Sequence, residues 1–441
     1  MSQSVFKELR KFIASDKLYC VVKAPPGSGK SYSLLESLED AIESGKRIAI
    51  AAQTNNQIND LCVNFCKRYP GNEIYRFSSK FYTPPANFPS DVVVVTDKKE
   101  LPVDGSVMIG TVAKLGLVDF VDAYDILLID EAWQMTWADF LTLRDVSSRL
   151  VFIGDPGQIP PTVTISVDRW EVSPDAPHRA TPDIVLENPD LAALTTVLNL
   201  DVCRRLPFDS VALIQTFYDF KFEPLAKKGE RFIRPVKRSN GSSIDLVIDQ
   251  LATSSSVILT HPTGADGAPI ETDRELAKVA AAVAQRLLDR GCMISTNPAE
   301  REKPRKLRAE DIGIVSTHNQ MNTAISNELP SNLSKISVTT PERWQGLQRP
   351  VMIAIHPLSG VMFPSSFDLE TGRLCVMASR HESACIFITR DHVGETLDTH
   401  LPIADQAIGR SDIVGRGHLQ HTEFWKYHFE KNLIIQQNGT K

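Results

Sequence analysis

The sequence predicts an α/β protein made of two tandem doubly wound parallel-sheet domains, and three observations carry that prediction. Short apolar runs alternate with helix-compatible segments along most of the chain. The runs are almost continuous in Val, Ile, Leu and Ala, as strands buried on both faces require. The alternation occurs twice, on either side of a proline-rich, loop-like stretch from Ile159 to Asn199. A first domain over residues 1–200 and a second over 201–441 follow from it.

In the first half the strand candidates are Leu18–Ala24, Arg47–Ala52, Val107–Thr111, Asp125–Asp130 and Leu150–Asp155. The segment Phe81–Gly105, rich in Pro and Asp and containing DVVVVTD, reads as a small excursion or β element. In the second half Ser256–His261, Asp311–Thr317, Ile336–Thr339, Val351–His356 and Ala384–Thr389 read as strands. Between the first two lies a helix opened by a Thr272/Glu275 capping box, carried by Leu276, Val279, Val283 and Leu287, and ended by Gly291. Its apolar stripe reads as core. The charged run Glu300–Glu310 reads as a solvated loop, and Gly409–Lys441 as a tail whose helix, Thr422–Leu433, docks on the body.

Bulk properties narrow the class. The 441 residues suffice for two full cores, and 23% charged with 42% hydrophobic residues is ordinary for a soluble protein. A net charge of −6 argues against coating nucleic acid through bulk charge and leaves a local basic groove open. The seven cysteines are scattered; Cys62 and Cys66 share a helix face, but nothing completes a metal site around them. The N-terminal MSQSVFKELRKF has no signal-peptide core, and no long apolar run suggests a membrane span. A reduced, cytoplasmic protein is expected.

The chemistry starts at Ala24–Ser31, APPGSGKS, between an apolar run and a helical stretch. Polyphosphate needs several backbone N–H groups converging on it, and Gly27 and Gly29 let the chain turn inward. Ala24, Pro25, Pro26, Gly27, Ser28, Gly29, Lys30, Ser31 and Tyr32 are thus the expected nucleotide contacts. Lys30 offers a point charge to the β and γ phosphates, and the Ser31 hydroxyl a ligand for Mg²⁺. Ala24 stands where the usual pattern begins with glycine, a place that needs a small residue. An acid pair, Asp130 and Glu131, closes the apolar run DILLID. Alone it reads equally well as a solvated strand end. Downstream of a P-loop it reads as a metal-holding Asp130 and a water-activating Glu131. ATP or another nucleoside triphosphate, with Mg²⁺, is the expected cofactor.

Further segments resemble the motifs of superfamily 1 helicases. Leu150–Pro161, LVFIGDPGQIPP, resembles motif III, with Gln158 as its γ-phosphate sensor. Ala51–Leu61 is similar to motif Ia, and Val107–Gly116 to the next strand-contacting motif. In the second half Val202–Pro207, VCRRLP, resembles motif IV, Thr339–Gln348, TTPERWQGLQ, motif V, and Leu374–Thr389 motif VI. The order matches over about residues 18–390, and GDPGQ, WQG and the Arg380–His381 pair look closest to the 5′→3′ branch, which includes the helicases of nonsense-mediated RNA decay and of alphavirus-like replicases. The resemblance implies two RecA-like domains and arginine fingers at Arg380 and one of Arg204 or Arg205. It also implies strand contacts from Thr54, Asn55, Thr111, Thr340 and Gln345, and single-stranded DNA or RNA as partner. Two departures bear on base recognition. Cys203 replaces an aromatic that stacks on adenine, and no glutamine stands at the base-reading place upstream, where Lys7 falls near it and Gln3 too early. The alternative reading is a nucleotide-dependent switch that acts through protein partners without unwinding.

Overall fold

A computed structural model describes residues 3–120, 123–164, 166–170, 173–264, 267, 269–400 and 413–437. The chain divides into two compact units, residues 1–156 with 160–202, and residues 157–159 with 203–441.

The first unit is built on eight strands: β1 (Tyr19–Lys23), β2 (Ile48–Ala52), β3 (Ile74–Phe77), β4 (Val92–Val95), β5 (Val107–Thr111), β6 (Ile126–Asp130), β7 (Leu150–Gly154) and β8 (Thr195–Asn199). They lie in the order β4-β3-β5-β2-β6-β7-β1-β8, all neighbours parallel. Side chains of a strand alternate between faces, and here each face feeds its own core. Cys20, Val22, Ile48, Ile50, Ile126 and Leu128 pack on one side with Phe12 and Phe65 of the helices Gln3–Ala14 and Asn55–Arg68. Val21, Ala49, Ala51, Leu127 and Ile129 pack on the other with Phe140 and Trp133. The sheet is doubly wound.

Two regions add to the sequence expectation. Of the two readings of DVVVVTD the β element holds, and β4 is the edge strand of the main sheet, paired along β3. The proline-rich stretch also holds regular structure. Pro182 and Pro189 sit in the first turns of the helices Thr181–Glu187 and Pro189–Ala193, where a missing N–H costs nothing. The opposite edge strand, β8, follows them and pairs with β1.

The second unit repeats the design with β9 (Ser256–His261), β10 (Ile312–Val315), β11 (Ser337–Thr339), β12 (Arg349–Ile355), β13 (His381–Arg390) and β14 (Ile434–Gln436), in the parallel order β11-β10-β12-β13-β9-β14. Val257, Leu259, Ile312, Ile314, Ile353 and Ile386 face the helix Arg274–Asp289. Ile258, Val315, Met352, Ala354 and Phe387 face the opposite way. The cap of that helix is Asp273, whose carboxylate accepts from the N–H groups of Glu275 and Leu276, while Thr272 bonds Gln320 instead. Gly291 follows its end at φ 63°.

Of the tail expected from Gly409, residues 409–412 and 438–441 lie outside those described. Its helix begins earlier than expected, spanning Ile413–Glu430, and does pack on the second unit. Gly394 leaves room for Trp425, since a Cβ there would stand 2.9 Å from the indole nitrogen. Phe424 is fully buried among His356, Phe387 and His428. Burial pushes His421 down to about 3 and His428 to about 4, so these rings stay neutral and count as core. All seven cysteines are free and buried, and among the described residues no cluster of three or more His, Cys, Asp and Glu side chains is arranged to hold a metal ion. Among the same residues no helix is long and apolar enough to cross a membrane.

Phe424→Ala should destabilise the protein by about 3–5 kcal/mol in urea denaturation, because the cavity opens under the whole helix. Phe429→Ala, on the exposed face of that helix, should stay within about 0.5 kcal/mol of wild type.

Candidate nucleotide and nucleic-acid site

The P-loop leaves β1 at Lys23 and turns at Gly27 and Gly29, with φ of 67° and 84°. Both are left-handed values that a side chain would strain. Ala24 is fully buried and donates its N–H to Gly154 O at 2.9 Å, so a methyl is accommodated where a glycine is usual. Gly29 caps the helix Lys30–Glu36, whose first turn carries Lys30, Ser31 and Tyr32. Tyr32 is exposed; Pro25, Pro26 and Ser28 are buried. The Ser28 hydroxyl finds no hydrogen-bond partner among the described residues, an oddity that a phosphate oxygen would resolve.

The acid pair meets this loop. Ser31 Oγ donates to Asp130 Oδ2 at 2.8 Å, and Lys30 Nζ lies 3.1 Å from Glu131 Oε1. A hydroxyl beside a carboxylate is the hard-oxygen set that Mg²⁺ prefers, so the residues fit the ion the sequence implies. Glu131 sits at φ 53°, one of two non-glycine residues with positive φ among those described. Such strain persists only where surroundings hold it. Here Asp130 Oδ1 accepts the Glu131 N–H at 3.0 Å. Burial, reinforced by the neighbouring Glu131 charge, pushes Asp130 up to about 6, against the pull of Lys30 and Ser31.

The strand-contact candidates of the first unit are already partly engaged. Thr54 caps the helix Asn55–Arg68 in a capping box with Gln57, and Thr111 caps Val112–Leu115 by accepting from Lys114 N. Asn55 accepts from Arg76 at 2.9 Å. Arg76 went unnoticed in the sequence because β3 did; an arginine in a short apolar strand was the available signal.

In the second unit, Arg205 is tied to Gln348 Oε1 at 2.6 Å and to Ser379 O at 3.3 Å. The side chain of Arg204 makes no hydrogen bond or ion pair among the described residues. Arg380 is 1% exposed, and its Nε and Nη2 have no hydrogen-bond partner among those residues. His381 bonds Ser210 through Nε2 at 2.7 Å and is structural. Cys203, in the place of the stacking aromatic, is fully buried in the core. Thr340 is buried and leads into the helix Pro341–Trp344 without capping it. Gln345 Nε2 reaches Ile159 O at 3.5 Å. Gln158 is buried and groups with this unit, its main chain so close to Gly372 that a Cβ there would stand 2.6 Å away.

Comparison with known proteins bears on the same segment, since residues 6–166 match the AAA domain family. The matched stretch includes the P-loop and the acid pair. Across both units the chain carries a motif series that resembles the superfamily 1 helicases. No curated protein matches the sequence. Among solved structures, the Arterivirus nonstructural protein 10 helicase is 14% identical over 89% of this chain and 63% of its own, with a TM-score of 0.44. Its complex with DNA gives 14%, 89%, 65% and 0.43, and the PRRSV helicase 14%, 87%, 55% and 0.41. The chain spans less than two thirds of each, and likeness this distant says nothing of its activity.

With Lys30 on the phosphates and Glu131 as the expected base, Lys30→Ala should abolish hydrolysis and weaken Mg-nucleotide binding in calorimetry, whereas Glu131→Gln should bind nucleotide and stall, because an amide takes no proton from water. Asp130 yields a pH test. Its folded carboxyl holds a proton more tightly than the unfolded one, so its cost to stability is full above about pH 6 and is relieved as pH falls from there toward the ordinary carboxylate range. Metal binding needs the opposite form. Mg²⁺ affinity, read from metal titrations of nucleotide hydrolysis, should therefore fall about tenfold per pH unit below 6. Asp130→Asn should be no less stable than wild type at pH 8 while losing Mg²⁺ dependence.

Proposed function

We propose that this protein is an NTP-hydrolysing motor on single-stranded DNA or RNA, with hydrolysis driving 5′→3′ translocation in the cytoplasm. The observation that carries the reading is Arg380, a buried guanidinium without an ion pair among the described residues. Leaving a buried cation uncompensated is costly, and an anionic ligand supplies what the protein withholds. In this reading Lys30 and the P-loop amides hold the phosphates, and Ser31 and Asp130 hold Mg²⁺, which offsets the phosphate charge. Glu131, released from Lys30, orients and deprotonates the attacking water. Arg380, with Arg204 rather than the already engaged Arg205, stabilises charge on the γ-phosphoryl group in the transition state, and Gln158 senses that group. Thr340, Gln345, Asn55 and the turns at Thr54 and Thr111 contact the sugar-phosphate backbone, so binding is nearly sequence-independent and weakens with salt.

One observation favours a second reading. The hydroxyls of Thr54 and Thr111 are already used as helix caps, as in a switch that kept the fold without gripping a strand. Hydrolysis rates with and without single strands separate the two: strong stimulation supports the motor, and a flat rate the switch.

Arg380→Ala should lower kcat on the order of 10³-fold with an unchanged circular dichroism spectrum; a rate within a few-fold of wild type would remove Arg380 from the mechanism. Streptavidin should be cleared from strands biotinylated at the 3′ end and not at the 5′ end, and the reverse pattern would invert the polarity.

A further inference from the structure

The strand exits of the first unit hold an arrangement that phosphate chemistry does not use. β3, β5 and β2 are parallel neighbours, with Phe77 opposite Gly110 and Thr111 opposite Ala52. The loops after these residues leave from one edge of the sheet, the edge where open α/β sheets bind ligands. Asn55 lies beyond β2. Beyond β3 runs the loop 78–91, with Lys80, Phe81 and Tyr82.

Arg76, one residue before the end of β3, is 1% exposed and forms no ion pair among the described residues. Amides hold it instead: Nε donates to Asn59 Oδ1 at 3.0 Å and Nη2 to Asn55 Oδ1 at 2.9 Å. The guanidinium carbon sits 3.3 Å from the Tyr82 ring centroid, and the Tyr82 hydroxyl donates to the same Asn59 oxygen at 2.7 Å. Two consequences follow. With its oxygen engaged, the exposed Asn55 presents its NH₂ group as donor. With Tyr82 pinned, its neighbour Phe81 is held off every core, 97% exposed, beside the exposed Lys80. Phe81 is thus an exposed ring between a lysine and a pinned tyrosine, on a loop leaving the ligand-binding end of the sheet near an amide donor. Proteins grip single strands without reading sequence by such means: bases stack on rings while polar groups follow the backbone.

We propose that Phe81 is a nucleobase-stacking platform, braced by the Tyr82–Arg76–Asn59 cluster, on which one base of a bound single strand lies while Lys80 and the Asn55 amide take the adjoining backbone. The assignment rests on the motor reading and extends it to a contact outside the motif series.

The test is fluorescence anisotropy with oligothymidylate and oligouridylate, each also made with abasic sugars. Phe81→Ala should bind the intact strands about tenfold more weakly and the abasic strands as wild type does. Phe81→Trp should keep wild-type affinity and show emission quenched by the strand. Tyr82→Leu should lose the same preference for intact over abasic strands, a difference that general destabilisation does not produce. If wild type binds strands and Phe81→Ala binds them equally well, or loses equally on intact and abasic strands, the platform is wrong and the motor reading stands. If wild type binds no strand, both are overturned.

Discussion

Two short contacts tie the ends of β1 and β6 together: the Ser31 hydroxyl on Asp130, and the Lys30 ammonium on Glu131. Each joins groups that are costly to bury alone, and each connects the first turn of the P-loop helix to the strand that delivers the acids. The sheet order puts β1 and β6 on either side of β7, so the contacts span the middle of the sheet where its loops converge. These pairs satisfy one another. In the proposed reading a bound nucleotide would exchange them for its own phosphates and ion.

Two of the buried arginines, Arg76 and Arg380, show contrasting solutions to one problem. Arg76 is shielded by amide oxygens and a tyrosine ring, which hold it in a single geometry and leave its positive field largely unneutralised. Arg380 has fewer supports, with two nitrogens unpartnered. Among the described residues neither pairs with a carboxylate, so each keeps its charge uncompensated at the expense of stability. The proposed mechanism uses that charge at Arg380, and the proposed platform uses Arg76 as a brace.

The parallel sheets were legible because strands buried on both faces read as continuous apolar runs, and the P-loop because its chemistry compresses into eight consecutive residues. Three kinds of feature escaped. β8 was hidden by prolines that looked like loop punctuation and prove to begin helices. β4 was seen as a β element but not as part of the main sheet, since pairing at an edge leaves no trace in a single strand's pattern. Arg76 and Tyr82 escaped because their partnership is made by tertiary approach between β3, the following loop and the helix Asn55–Arg68. The role of Thr54 shows the converse limit: a motif position and a capping box use the same hydroxyl, and only geometry shows the cap.

The seven buried cysteines have a practical consequence. Burial pushes the thiols of Cys20, Cys62 and Cys292 up to about 12, and that of Cys385 up as well. Since the thiolate is the reactive form, these side chains are poor targets for maleimide or iodoacetamide dyes in the folded protein. The native chain thus comes close to a cysteine-free background. A single cysteine introduced at an exposed position takes a fluorophore selectively, which opens each unit to distance measurements during turnover without first stripping the thiols from the cores.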